Sequence, residues 1–232
     1  MAKVVLITVL LIVLLGIVPG GQFHLPVRWN PFAPLSITEP AGIIARFKMA
    51  KLQRDPTACL AQLNQARAQG YIRFTVAPAV AGGCPLSMPL RIERIGGISF
   101  SSSFLASCPL ALSSVRFVIQ VVEPSAIRQF SAPVTQIEHV GSYACRNIYH
   151  RDQGRISEHA TADALDISAF QLARGMRIPV SGTWEQQDRR GRWLREIFQQ
   201  SCGFFGTALG PDYNAAHAGH FHFGTGGYGF CH

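Results

Sequence analysis

Two stretches far apart in the chain alternate between metal-type donors and apolar residues, and that alternation restricts what the chain can fold into. In Ala164-Leu165-Asp166-Ile167-Ser168-Ala169-Phe170, strand geometry puts Leu165, Ile167 and Ala169 on one face and Asp166 and Ser168 on the other. His220-Phe221-His222-Phe223 does the same, with both imidazoles on one side and both phenyl rings in the core. If the two strands are neighbours, Asp166 and His222 converge, and His159, on the approach to its strand, closes a triangle. Two imidazoles and one carboxylate are the donor set of a catalytic zinc, which keeps a fourth position open, whereas structural sites are usually closed by four cysteines and histidines. The expectation is Zn2+ held by His159, Asp166 and His222. A lone strand histidine is more often a hydrogen-bonded residue than a ligand, but that reading does not account for a histidine, a carboxylate and a histidine pair that all sit on polar faces.

The rest of the pattern reads as one α+β domain: a small antiparallel sheet carrying the zinc site, packed against helices. Asp55-Pro56 starts a helix as N-cap and first-turn proline, and Gly70 ends it; a short amphipathic helix from Ile43 precedes it. Residues 72–76 and 90–95 are strand-like, and Pro109 opens a mostly buried helix to about Glu123. Residues 134–140 and 142–148 read as a hairpin or adjacent strands, and 184–200 as a last helix whose apolar face is Trp193, Leu194, Ile197 and Phe198.

Residues 4–18 are uncharged and nearly all aliphatic, so the chain is read as exported. The run is short for a span of ~20 residues, yet Val18-Pro19-Gly20 makes a poor cleavage site. Phe23, Trp29 and Phe32 beyond it suit an interfacial belt, which favours an uncleaved inner-membrane anchor (1–20) over a cleaved signal that frees a periplasmic protein. A Pro/Gly-rich spacer (21–40) then leads to the domain (41–232). The net charge of +8 attracts anions, which for an exported chain means lipid head groups and wall polymers. No nucleic-acid motif or long basic run supports the other common meaning of a basic chain. Cysteines 59, 84, 108, 145, 202 and 231 contain no Cys-x-x-Cys pair, so disulfides fit better than zinc ribbons or redox motifs. Sequential pairing, 59–84, 108–145 and 202–231, is the expected connectivity, with the last bridge bracing the histidine strand.

The pattern Ser157-x-His159-x-x-Ala162-x-Ala164-x-Asp166 followed by His220-x-His222 resembles the zinc peptidase superfamily that unites lysostaphin, D-Ala-D-Ala carboxypeptidases and the hedgehog signalling domain. More narrowly, Gly141-Ser142-Tyr143-Ala144-Cys145-Arg146, Ser157-Glu158-His159-Ala160-Thr161, Ala164-Leu165-Asp166-Ile167, Cys202-Gly203-Phe204-Phe205 and the run from Leu209 to His217 resemble the bacterial extensin-like C-terminal domain family. The resemblance implies zinc ligands at His159, Asp166 and His222, His220 beside the metal and Arg146 facing the substrate. It also implies hydrolysis of amide bonds in peptidoglycan peptides. Related peptidases carry an acidic general base three residues before the last zinc histidine, where this chain has Gly219. His220 can activate or orient the water instead; Asp163 and Glu158 are alternative bases, and His217 a supporting group or a simple loop histidine. Arg146 is either a substrate contact or half of a structural ion pair. The missing acid leaves a second reading, a zinc-containing but impaired module that binds wall peptides or an envelope partner. Ala162 stands where the carboxypeptidases usually have glycine, which matters only if the backbone there needs positive φ.

Overall fold

The computed structural model describes residues 2–15, 25–227 and 229–232. Val18-Pro19-Gly20 and Phe23 lie outside the described residues. Helix α1 (Ala2–Leu15) is wholly apolar apart from Lys3 and Thr8. Next come α2 (Ile43–Arg54) and α3 (Pro56–Ala68). The Asp55 carboxylate accepts the Ala58 N–H at 2.9 Å to cap α3, and Gly70, at φ +79°, turns the chain out of it.

Strands β1 (Ile72–Val76), β2 (Leu90–Ile95) and β3 (Ile98–Ala106) form an antiparallel meander. β3 has no counterpart in the sequence reading, because its centre is a serine run, Ser101-Ser102-Ser103, that is exposed. Ser107 caps α4 (Cys108–Phe117), which continues through one wide helical turn, Val118–Val122, into α5 (Glu123–Phe130). The helix thus runs beyond Glu123. Pro124 has no N–H to give and its ring would crowd the Gln120 carbonyl, and the widened turn relieves that conflict. Cys108–Phe130 is the one helix among the described residues long and apolar enough to cross a membrane, but 72% of its apolar window is buried, so it is a core helix.

β4 (Val134–Gly141) returns beside β3 in parallel, with Phe100 opposite Ile137. β5 (Ala164–Leu172) pairs with β4, with the short β6 (Arg177–Pro179) and with β8 (Phe221–Gly224), all antiparallel. β7 (Thr207–Leu209) joins β8, and β9 (Phe230–Cys231) joins β7 in parallel. The sheet is therefore nine-stranded and mixed rather than small and antiparallel, in the order β1-β2-β3-β4-β5-β8-β7-β9 with β6 on β5. Residues 142–148 are not a strand. Their backbone is held by the turn that follows: Ala144 N–H donates to the His159 carbonyl and Ser157 N–H to that of Arg146. Helix α6 (Arg189–Ser201) begins later than residue 184, because Asp188 accepts the Arg190 and Gly191 N–H groups and sets the start there. Its expected face is buried: Trp193 packs edge-on to Phe170 and Phe130, and its indole N–H donates to Ser125 Oγ.

Phe117 from α4 meets Phe204, Phe205 and Phe223, with Phe205 stacked on Phe223 at 4.7 Å. These aromatics cover the apolar face of β5 and β8, and burial worth ~1.5–3 kcal/mol for each large apolar side chain fixes which face is left for the polar residues. Residues 35–39 also pack on the domain. Leu35 and Ile37 are buried, the buried Glu39 carboxylate pairs with Lys48 at 2.8 Å, and the Glu39 carbonyl accepts Arg116 and Gln120.

The disulfides are Cys59–Cys108, Cys84–Cys145 and Cys202–Cys231. Only the last follows sequential pairing. Cys59 lies on α3, whose buried face packs on α4 and meets Cys108 there. Cys84 lies beside the segment after β4, where the Tyr143 hydroxyl donates to its carbonyl.

Candidate metal centre

Strand register builds the site. Asp166 on β5 is directly opposite His222 on β8, flanked by Leu165 opposite Phe223 and Ile167 opposite Phe221. His159 comes from the short turn Glu158–Thr161, which Ser157 caps through its hydroxyl. Ala162, at φ 54° and ψ 31°, is the left-handed residue that reverses the chain into β5. The three side chains are buried, and one ligand atom from each lies within 4.8 Å of the others.

The hydrogen bonds define which atoms face inward. His159 Nδ1 lies 2.7 Å from the Ser142 carbonyl, which can only accept, so Nδ1 carries a proton and Nε2 is the nitrogen left to face Asp166. That Nε2 is 3.1 Å from Asp166 Oδ2, while Oδ1 is 2.9 Å from His222 Nδ1. Burial alone would raise the Asp166 carboxyl, but hydrogen bonds and charge from His159 and His222 outweigh it and hold the group well below the ordinary carboxylate range. Burial likewise opposes the charged form of His222, yet Asp166 and Glu158 push it up to about 9. Two imidazole nitrogens and a buried carboxylate oxygen thus face one another across a space that a cation can fill. These donors fit a divalent cation with nitrogen and oxygen preference; they do not by themselves select zinc.

A cleft of about 760 Å³ opens over the triad. His220 lines it with Nε2 3.6 Å from Asp166 Oδ2, and burial together with His222 and His159 lowers its pKa despite the pull of Asp166. His217 also lines it, held through Nδ1 by Asn214 Oδ1 at 2.8 Å; burial, then repulsion from His222 and His220, pushes it down to about 4. Arg146 faces the same cleft and pairs with no carboxylate among the described residues, so the structural ion pair weighed from sequence is not formed there. Asp163 is turned away: its carboxylate accepts the Thr225 hydroxyl and does not line the cleft. Gly219 has an ordinary φ, and a Cβ there would meet nothing nearer than Ser181 at 3.8 Å. Tyr149 and Tyr213, which sequence reading did not single out, form part of the cleft wall, with Tyr149 Oη accepting from Asn214 Nδ2. No local pattern marks these tyrosines; the Ser142 carbonyl that orients His159 is equally invisible without the fold.

The fold and site define an α+β protein with a buried His-Asp-His group able to hold a metal, stapled by three disulfides. The family model described as Extensin-like protein C-terminus matches residues 57–232, and the chain belongs to that family. Neither a curated protein nor a solved structure matches it.

Proposed function

We propose that the chain is a zinc-dependent hydrolase of the bacterial cell envelope that cleaves amide bonds in peptidoglycan peptides. One observation supports this most: the His159, Asp166 and His222 donors converge beneath an open cleft instead of closing on themselves. The resemblance to the lysostaphin, carboxypeptidase and hedgehog superfamily supplies the substrate class, and three disulfides agree with an oxidising compartment. Residues 1–20 act as the inner-membrane anchor in this reading, with the domain in the periplasm.

The three donors would hold the zinc, which would supply Lewis acidity toward water and a substrate carbonyl. His220, with its lowered pKa and its ring at the cleft wall, takes or orients the proton of the attacking water through Nε2. Arg146 presents an unspent guanidinium to the substrate's carboxylate or to the developing oxyanion, a role worth ~3 kcal/mol for one good donor. His217, anchored by Asn214, packs at 5.3 Å from His220 and holds its ring in place.

The absence of a carboxylate at 219 favours one second reading, a zinc-containing module that binds wall peptides without cutting them. Purified peptidoglycan incubated with the zinc-loaded chain separates the two. New amino groups and shortened peptides, lost on chelation and in His159→Ala, support the hydrolase; retention of the chain on peptidoglycan without product supports the binding module.

A further inference from the structure

We propose that Glu158 is a positioning residue of the metal centre: its carboxylate accepts the Nε2–H of His222 and so fixes that ring with Nδ1 turned toward the metal. The inference rests on the ligand set of the proposed function and deepens it.

His222 lies between two carboxylates, with Nδ1 2.9 Å from Asp166 Oδ1 and Nε2 3.5 Å from Glu158 Oε2. A ligating histidine needs its second nitrogen held, because an unheld ring exchanges tautomers and rotates. Glu158 is itself held. Its Oε1 accepts the Gly226 N–H, and its carbonyl accepts the Asp163 N–H at 2.9 Å. No lysine or arginine pairs with it among the described residues, so its charge is directed at His222.

Two glycines show that the space is built for this carboxylate. A Cβ on Gly224 or on Gly226 would overlap the Glu158 carboxylate directly. Neither glycine has positive φ, so backbone freedom does not account for them; room does. The loop after His222 thus leaves a pocket that a residue next to His159 fills, and one short turn supplies both a ligand and the group that orients another.

The test measures zinc affinity of the detergent-solubilised full-length chain by competition with a chromophoric chelator, and the His222 tautomer by imidazole 15N NMR. Glu158→Ala should weaken zinc binding about 10- to 100-fold, the usual effect of losing such a partner, and with zinc bound should move His222 from a single Nε2–H form to a mixture of forms ligated through Nδ1 and through Nε2. Glu158→Gln, whose amide oxygen still accepts one N–H, should lose less. Gly226→Ala keeps the glutamate but displaces its carboxylate, and should behave like Glu158→Ala. If Glu158→Ala fails to fold, as judged by thermal unfolding without added metal, Gly226→Ala and Glu158→Gln carry the test alone. Wild-type affinity and a wild-type tautomer in these variants overturn the role of Glu158 and leave the hydrolase reading standing. A wild-type chain that binds no zinc overturns the zinc reading itself.

Discussion

Removing the Cys202–Cys231 bridge with the double substitution Cys202→Ser and Cys231→Ser should cost stability without dismantling the metal centre. The bridge closes a 29-residue ring that contains β7, β8 and the histidines 217, 220 and 222. The loop-entropy relation, about −2.1 − 1.5R ln n, gives about 12 cal/mol/K for a ring of 29 residues, or about 3.6 kcal/mol at 25 °C. This ring shares no residue with the two rings closed by Cys59–Cys108 and Cys84–Cys145, so the other bridges do not already restrict the same segment. At about 2–4 °C per kcal/mol for a domain of this size, the unfolding midpoint should drop by about 7–14 °C. Both cysteines are half-buried, so the serine hydroxyls remain within reach of water and add little. Zinc affinity should change by less than about threefold, because β8 keeps its four-residue pairing with β5 and only the two-residue β9 loses its brace. Urea unfolding followed by circular dichroism reads the stability, and the slope with denaturant should rise as the unfolded chain expands. A loss under about 1 kcal/mol would refute the entropic account, and a loss of zinc greater than tenfold would refute the view that strand pairing holds the ligands.

Four further outcomes can be checked. His220→Ala should retain zinc, since the ligand set does not include it, and lose ~100-fold or more in peptide hydrolysis; metal loss in that variant would show that His220 is a ligand. Gly219→Asp should raise hydrolysis, because the position has ordinary φ and open space before Ser181; unchanged product yield from a folded variant would mean that His220 already fills the role. Ala162→Gly should be close to neutral: relief of the left-handed strain, about 1–2 kcal/mol, is offset by unfolded-chain entropy of about 0.4–1 and a lost buried methyl of about 0.8 kcal/mol. A change above about 1.5 kcal/mol in urea unfolding contradicts that balance. Mass spectrometry of the membrane fraction should find residues 4–18 still attached, whereas a soluble periplasmic species starting near Gln22 would rule out the anchor.

The parts legible in the sequence were those written in short-range pattern. The alternation through Asp166 and through His222 dictates which faces they share, and the observed register sets them opposite each other. Asp55-Pro56 and Gly70 bound α3 because caps act within one turn. What sequence could not supply depends on contacts between distant segments. β3 owes its strand to neighbours β2 and β4 rather than to its serines, and 142–148 gives up its strand-like pattern because the turn carrying His159 takes its backbone groups. Cys59 and Cys108 meet only once α3 packs on α4. Glu158 was visible next to a candidate ligand, but its direction depends on room left by Gly224 and Gly226, far along the chain.

The docked segment ahead of α2 limits where such a domain can work. Lys48 Nζ donates to the Val27 carbonyl, so the chain is fastened to the domain from about Val27, not from the end of the Pro/Gly-rich stretch. If α1 is seated in the bilayer, as proposed, the twelve residues from Leu15 to Val27 can span no more than about 43 Å at ~3.3–3.6 Å per residue. Under the proposed anchoring the cleft would reach only a thin shell over the inner membrane, so abundance in the membrane, rather than diffusion, would set how much wall it could process.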